Sequence, residues 1–275
     1  MRLSRLLAVI FFLVIALSTA RAQLPAMDPL ADRMAEALVK SKRKSVIVLD
    51  FSGPGGKYTA LGQAFANKFS MALSKSSDKF SVATRGQIGE TLAKNSVPQF
   101  SVNDINIALW VAAESNIQAV ITGKITLSRD LLGISVECYR ADSGKGIGSL
   151  KTTSTISQQM RTLMDKAAEY PDPKVDSNVP AAGQTGYSYP KCAECPEAPF
   201  DQRAIDHRYQ GTVVLSVIVG ADGRATNIVV IQALPYGLTA KAIEAVESWK
   251  FRPAIGPDGR PAAVRQGVEI TFHLH

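Results

Sequence analysis

The stretch QGTVVLSVIVGADGRATNIVVI, Gln210 to Ile231, decides how the last third of this chain folds. Gln210 to Val219 is a β-branched apolar run, Ala221 to Arg224 carries the Asp-Gly signal of a tight hairpin, and Ala225 to Ile231 is the returning strand. Leu238 to Lys250 then reads as a helix, with Ala242, Ala245, Val246 and Trp249 on one face and Pro253 beyond its end. A second Asp-Gly turn, GPDGRP, leads into Val264 to Leu274. There Val264, Gln266, Val268, Ile270, Phe272 and Leu274 share one side of a strand that a helix covers.

The first half alternates differently. Asp28-Pro29 reads as an N-cap followed by proline at the first helical position, with Leu30, Met34 and Leu38 as an apolar stripe. SVIVLDF, Ser45 to Phe51, is long enough for a buried strand and too short for a helix. A glycine-rich turn and an amphipathic helix from about Thr59 to Ser74 follow. Further strands are expected at Phe80–Ala83, Ile117–Ile125, Leu131–Tyr139 and Ile147–Thr153, with helical stretches at Gln87–Lys94 and Val102–Ser115. The fold class is α+β in two domains: an N-terminal α/β sandwich with a mixed sheet, residues 23–156, and a small β-hairpin–helix–strand domain, residues 199–275. Residues 157–198, rich in Pro, Gly, Ser and Ala, read as a linker carrying a CxxC.

At the start, Arg2, Arg5, the apolar run Leu6–Leu17 and Ala20-Arg21-Ala22 form a secretory signal at residues 1–22, with cleavage before Gln23 and delivery to the periplasm. Retention of the leader would leave the protein membrane-associated. The net charge of +7 includes Arg2, Arg5 and Arg21, so the mature chain falls by three to +4, with acids and bases interspersed. That is no basic stripe for nucleic acid.

In an oxidising compartment Cys192 and Cys195 read as a local disulfide, with a redox switch as the alternative; Cys138, in an apolar strand, reads as a buried free thiol. Zinc would need two more ligands, and only Cys138, His207, His273 and His275 exist elsewhere; haem attachment would need histidine where Pro196 stands. SGPGGKYT, Ser52 to Thr59, lacks Ser or Thr after its lysine, so no nucleotide is expected. Asp206 and His207 have no nucleophile motif beside them. No catalytic residue, metal or cofactor is expected, and the chain is not read as an enzyme.

The ordered residues Ala204, Arg208, Gly211-Thr212-Val213, Asp222-Gly223-Arg224 and Trp249-Lys250-Phe251-Arg252-Pro253, with Pro199-Phe200 upstream, resemble the C-terminal domain of TonB-family proteins. VIVLDFSG, LGQAFANKF and AVITGKIT, within Ser41–Ser154, resemble the envelope domains of TolB (N-terminal), FlgO and CsgG-like proteins. Gly211, Asp222, Gly223, Arg224, Trp249, Phe251 and Pro253 are expected to be structural. The first resemblance implies function at an exposed strand edge, around Val264, Gln266, Val268, Ile270 and Phe272. There a peptide of an outer-membrane transporter or another envelope protein would add as a strand, in support of transmembrane transport. An energy transducer would further need a permanent membrane helix and a long spacer. Two alternatives stand beside the adaptor: an envelope-assembly factor acting through the N-terminal domain, with the C-terminal unit forming a homodimer, and thiol-disulfide exchange at the CxxC.

Overall fold

Val46 to Phe51, the apolar run of the first strand, is buried without interruption in the computed structural model, which describes residues 24–168 and 175–274. Burial on both faces is what a continuous β-branched run predicts for a strand inside a parallel sheet. This strand, β1 (Ser45–Ser52), pairs in parallel with β2 (Ser81–Ala83) and β3 (Ala119–Ser128). The antiparallel strands β4 (Leu131–Arg140) and β5 (Gly146–Thr155) complete a mixed sheet in the order β2-β1-β3-β4-β5. Alternate residues of β1 face opposite layers. Val46 and Val48 pack with α1 (Asp28–Lys40) and α2 (Ala60–Ser76); Ile47 and Leu49 pack with α3 (Arg85–Lys94) and α4 (Ile105–Glu114).

Two local expectations are corrected. Asp28 is the first residue of α1, and Met27 holds the cap position. Within the stretch read as a linker carrying a CxxC, the described residues 157–168 and 175–198 hold elements of their own. Ser157 caps α5 (Gln158–Asp165) by accepting from the Met160 amide, and Met160 is buried against the α1–α2 layer, with Leu163 and Met164 packed beside it. The Lys166 carbonyl then accepts from the Ala60 amide, tying this segment to the start of α2. The leader expected at residues 1–22 lies outside the described residues, and no described helix is long and apolar enough to cross a membrane.

The C-terminal domain opens with β6 (Lys191–Glu194) and the short helix α6 (Gln202–Asp206). The hairpin β7 (Gly211–Val219) and β8 (Ala225–Gln232) follows, then α7 (Leu238–Ser248), β9 (Lys250–Arg252), the small hairpin β10 (Ala254–Ile255) and β11 (Pro261–Ala262), and β12 (Val264–Phe272). The main sheet has the order β12-β7-β8. Val213, Leu215, Val217 and Val219 of β7 and Val268, Ile270 and Phe272 of β12 form one core with Leu238, Ala242 and Val246 of α7.

The two domains share that core. The cluster that begins at Ile47 and Leu49 continues through α4 into the C-terminal domain. At the joint, Trp110 is 3% exposed and its ring lies 6.1 Å from that of Tyr236, which in turn contacts Tyr209 at 5.4 Å and stacks on His207 at 4.2 Å. A separate polar anchor lies near the end of β1. Asp50, 6% exposed, forms an ion pair with Arg85 at the start of α3 and accepts from Gln63 Nε2 at 3.2 Å.

Removing the indole leaves a cavity between the domains. Trp110→Ala is expected to cost about 3 kcal/mol in urea unfolding and to increase the radius of gyration measured by small-angle scattering. Arg85→Ala removes the ion-pair partner of the buried Asp50 carboxylate and leaves it the Gln63 amide. Because Arg85 is itself partly exposed, the expected loss is ~2 kcal/mol, below the range for a fully buried pair.

Candidate functional site: the outer edge of the C-terminal sheet

β12 pairs with β7 along its whole length, from Val264 opposite Val219 to Phe272 opposite Gly211, without a register break. Its other side borders no strand of the sheet. Backbone groups of an antiparallel strand alternate between its two sides, and Arg265 shows which residues face outward. Its amide donates to Pro180 O and its carbonyl accepts from the Ala182 amide, both at 2.8 Å and both away from β7. Gly267, Glu269 and Thr271 therefore turn their backbone groups to the same side, and all three are exposed. The Gly267 carbonyl accepts from Gln266 Nε2 at 2.9 Å, and Gln266 Oε1 is buried without a partner. No described residue pairs with the outward amides and carbonyls of Glu269 and Thr271.

The five residues singled out for the partner edge occupy the opposite phase. Val264, Val268, Ile270 and Phe272 are buried, and Gln266 is half-buried. Their side chains belong to the domain interior, so they position the edge, and the outward groups left unpaired are the Gly267 amide and the backbone of Glu269 and Thr271. The alternation of β12 was readable from the sequence. Which phase carried the open backbone depended on knowing that β7 pairs on one side alone.

A groove of ≈ 530 Å³ runs beside this edge. Glu269 to His273 form one wall, and Cys195, Glu197, Ala198, Phe200 and Trp249 form the other. Phe200 meets Phe272 edge-on at 5.3 Å, and the Trp249 indole donates to Pro196 O at 2.9 Å. The far wall is fixed by β6, which pairs antiparallel with β9 and places Cys192 opposite Phe251. Cys192 and Cys195 form a disulfide, closing the turn that leads into that wall. Cys138 is fully buried, and burial pushes its thiol up to about 12.

The sequence motifs meet one another away from the groove floor. Gly223, at φ 78, sits in the β7–β8 turn, where Gly223 O accepts from the Phe251 amide at 2.8 Å. The Arg224 amide donates to Asp222 Oδ1 at 3.1 Å, and Arg224 bridges to Lys250. A Cβ on Gly223 would strike the Phe251 backbone, so the turn and β9 are stitched through a position only glycine fills without strain. Trp249 and Phe251 are half-buried, with rings 6.0 Å apart, at the margin of the core. Pro253 follows β9 directly, and Gly211 opens β7 opposite Phe272. Asp206 ends α6; His207 Nδ1 lies 2.8 Å from Arg203 O, and its ring is committed to Tyr236. Among the described residues no three His, Cys, Asp or Glu side chains converge as a metal site would require.

A three-stranded antiparallel sheet with β12 at its edge and one covering helix defines a small α+β module. Residues 196–274 match the family described as Gram-negative bacterial TonB protein C-terminal, and the C-terminal domain is a TonB-type domain. No curated protein sequence matches the chain. Among solved structures, the LpoB C-terminal domain from Escherichia coli is similar at 16% identity and a TM-score of 0.41, covering 48% of this chain and 96% of that one. Lipoprotein GNA1162 from Neisseria meningitidis is similar at 12% identity and a TM-score of 0.33, covering 42% and 82%. The Pseudomonas aeruginosa TonB C-terminal domain is similar at 18% identity and a TM-score of 0.29, covering 36% and 97%.

Gly223→Ala is expected to lower stability by about 2 kcal/mol, from the left-handed backbone and the loss of close approach; thermal unfolding measures it. Replacing both Cys192 and Cys195 by serine should cost no more than ~2 kcal/mol, because so short a loop restricts little unfolded-chain entropy. Under native conditions Cys138 should resist thiol-reactive reagents and become reactive only on unfolding.

Proposed function

We propose that the protein is a non-catalytic adaptor of the cell envelope. Its TonB-type domain takes an extended segment of an outer-membrane transporter, or of another envelope protein, on the outer edge of β12. The observation that carries this reading is the set of open amides and carbonyls at Glu269 and Thr271, beside a groove walled by Phe200 and Trp249. Each backbone hydrogen bond formed there contributes about 1 kcal/mol net, so side chains entering the groove would supply selectivity and part of the affinity. The periplasm is the compartment in which such a module and the Cys192–Cys195 disulfide are both at home.

Support of transport fits better than spacer-coupled energy transduction. Residues that would act as a free spacer are instead paired to the module at Arg265, Ile255 and Phe251. The N-terminal domain is also packed against the same module through Trp110.

Glu269→Pro and Thr271→Pro remove outward donors while sparing the backbone groups that face β7. In the full-length protein, each is expected to weaken capture of a synthetic peptide, taken from the periplasmic segment of a TonB-dependent transporter, by about tenfold or more, with unchanged circular dichroism. Capture equal to wild type in both folded variants would exclude the β12 edge as the binding site.

A further inference from the structure

The outer edge of β12 is already bridged at one residue, Arg265, by a segment of the chain itself. Pro180 to Ala182 run parallel to β12, with Pro180 O accepting from the Arg265 amide and the Ala182 amide donating to Arg265 O, each at 2.8 Å. Immediately afterwards the chain turns away. The Gln184 amide donates to Ala181 O and Gln184 Oε1 accepts from the Ala181 amide, both at 3.0 Å, while Gly183 takes φ 76. The turn is held from the far side as well. The Ser188 amide donates to Ile255 O at 2.9 Å, and Ser188 Oγ accepts from the Ile255 amide at 2.8 Å. These residues precede the stretch matched to the TonB C-terminal family, which begins at residue 196. The strap is therefore an addition to the module, built on its partner edge.

Three consequences follow from this placement. Both outward groups of Arg265 are taken, so an incoming strand cannot extend past Gly267 toward the start of β12. The left-handed turn at Gly183 ends the strap before it reaches Glu269, which leaves that part of the edge open. The strap also demonstrates that a short, extended, small-residue segment is accepted here by backbone pairing, in the parallel sense. We infer that Pro180–Ala182 is a resident capping segment, bridged to β12 at Arg265, that confines a partner to Gly267–Thr271 and so selects a short extended peptide over a long strand or a second copy of β12. The inference rests on the β12 edge being the partner site; the cap itself is a property of the chain without any partner.

The test uses the full-length protein and one substitution. Ala182→Pro deletes the amide that donates to Arg265 O, and Ala182→Ser retains it as a control for folding. In the wild type, hydrogen exchange should show the Arg265 amide protected about tenfold or more relative to that of Gly267, and Ala182→Pro should erase much of the difference. A labelled synthetic peptide with the strap sequence NVPAAGQTG, Asn178 to Gly186, should bind Ala182→Pro about tenfold more tightly than wild type or Ala182→Ser. Equal exchange of Arg265 and Gly267 in the wild type overturns the cap, and so does equal peptide binding by the three proteins. If the cap behaves as expected but neither wild type nor Ala182→Pro captures the transporter peptide, strand addition by a partner is overturned while the cap stands as protection of the edge against self-pairing.

Discussion

The register between β7 and β12 governs what the C-terminal domain can do. Nine consecutive pairs, Val264–Val219 through Phe272–Gly211, place Val264, Val268, Ile270 and Phe272 in the core. The same register turns the backbone of Arg265, Gly267, Glu269 and Thr271 outward. A slip of one residue would carry the apolar set to solvent and exchange the inward and outward backbone groups together. The core thus fixes the outward phase: the packing that holds Phe272 against Phe200 also turns the Thr271 backbone away from β7.

The N-terminal domain supports that arrangement from a different side. Trp110 and Tyr236 join the domains at the loop before α7, and a cleft between them is lined by residues of α3, α4 and α7. The groove at β12 is lined only by residues of the C-terminal domain and the stretch leading into it. The surface packed on the N-terminal domain and the open edge are accordingly separate parts of the C-terminal domain. A partner strand on β12 would not have to displace the shared core, whose apolar burial is worth several times the few hydrogen bonds the open edge offers.

What the sequence disclosed follows the physics of side-chain periodicity. The strand at Ser45–Phe51, the hairpin around Asp222-Gly223 and the alternation of Val264–Phe272 were legible because burial selects residue types at period two. The strap and β6 were not. Pro180 to Ala182 and Lys191 to Glu194 are held by backbone pairing at the surface, which leaves no hydrophobic period, so their composition read as a linker. Other signals were present and went unread. Met160, Leu163 and Met164 form a short helical stripe behind the cap Ser157. The run Ile105 to Ala112 is apolar around most of its circumference, which marks a helix covered on two sides and points to the domain interface. Asp50, ending an apolar strand, gave no hint of Arg85 because such a pairing depends on where α3 begins in space.

The strap and the disulfide-bearing turn also resolve a tension built into any strand-presenting module. An open, flat edge attracts every exposed strand, including that of an identical chain, and proteins commonly blunt such edges with charge or cover. Here the start of β12 is covered by Pro180–Ala182, and Glu269 places a charge on the part left open. The opposite wall, from Cys195 to Phe200, is held at a fixed distance from the edge by three independent ties: the Cys192–Cys195 bond, the β6–β9 pairing and the indole bond from Trp249 to Pro196. On this proposal the stretch read as a linker shortens the edge at Arg265 and supplies the wall opposite Glu269–Thr271.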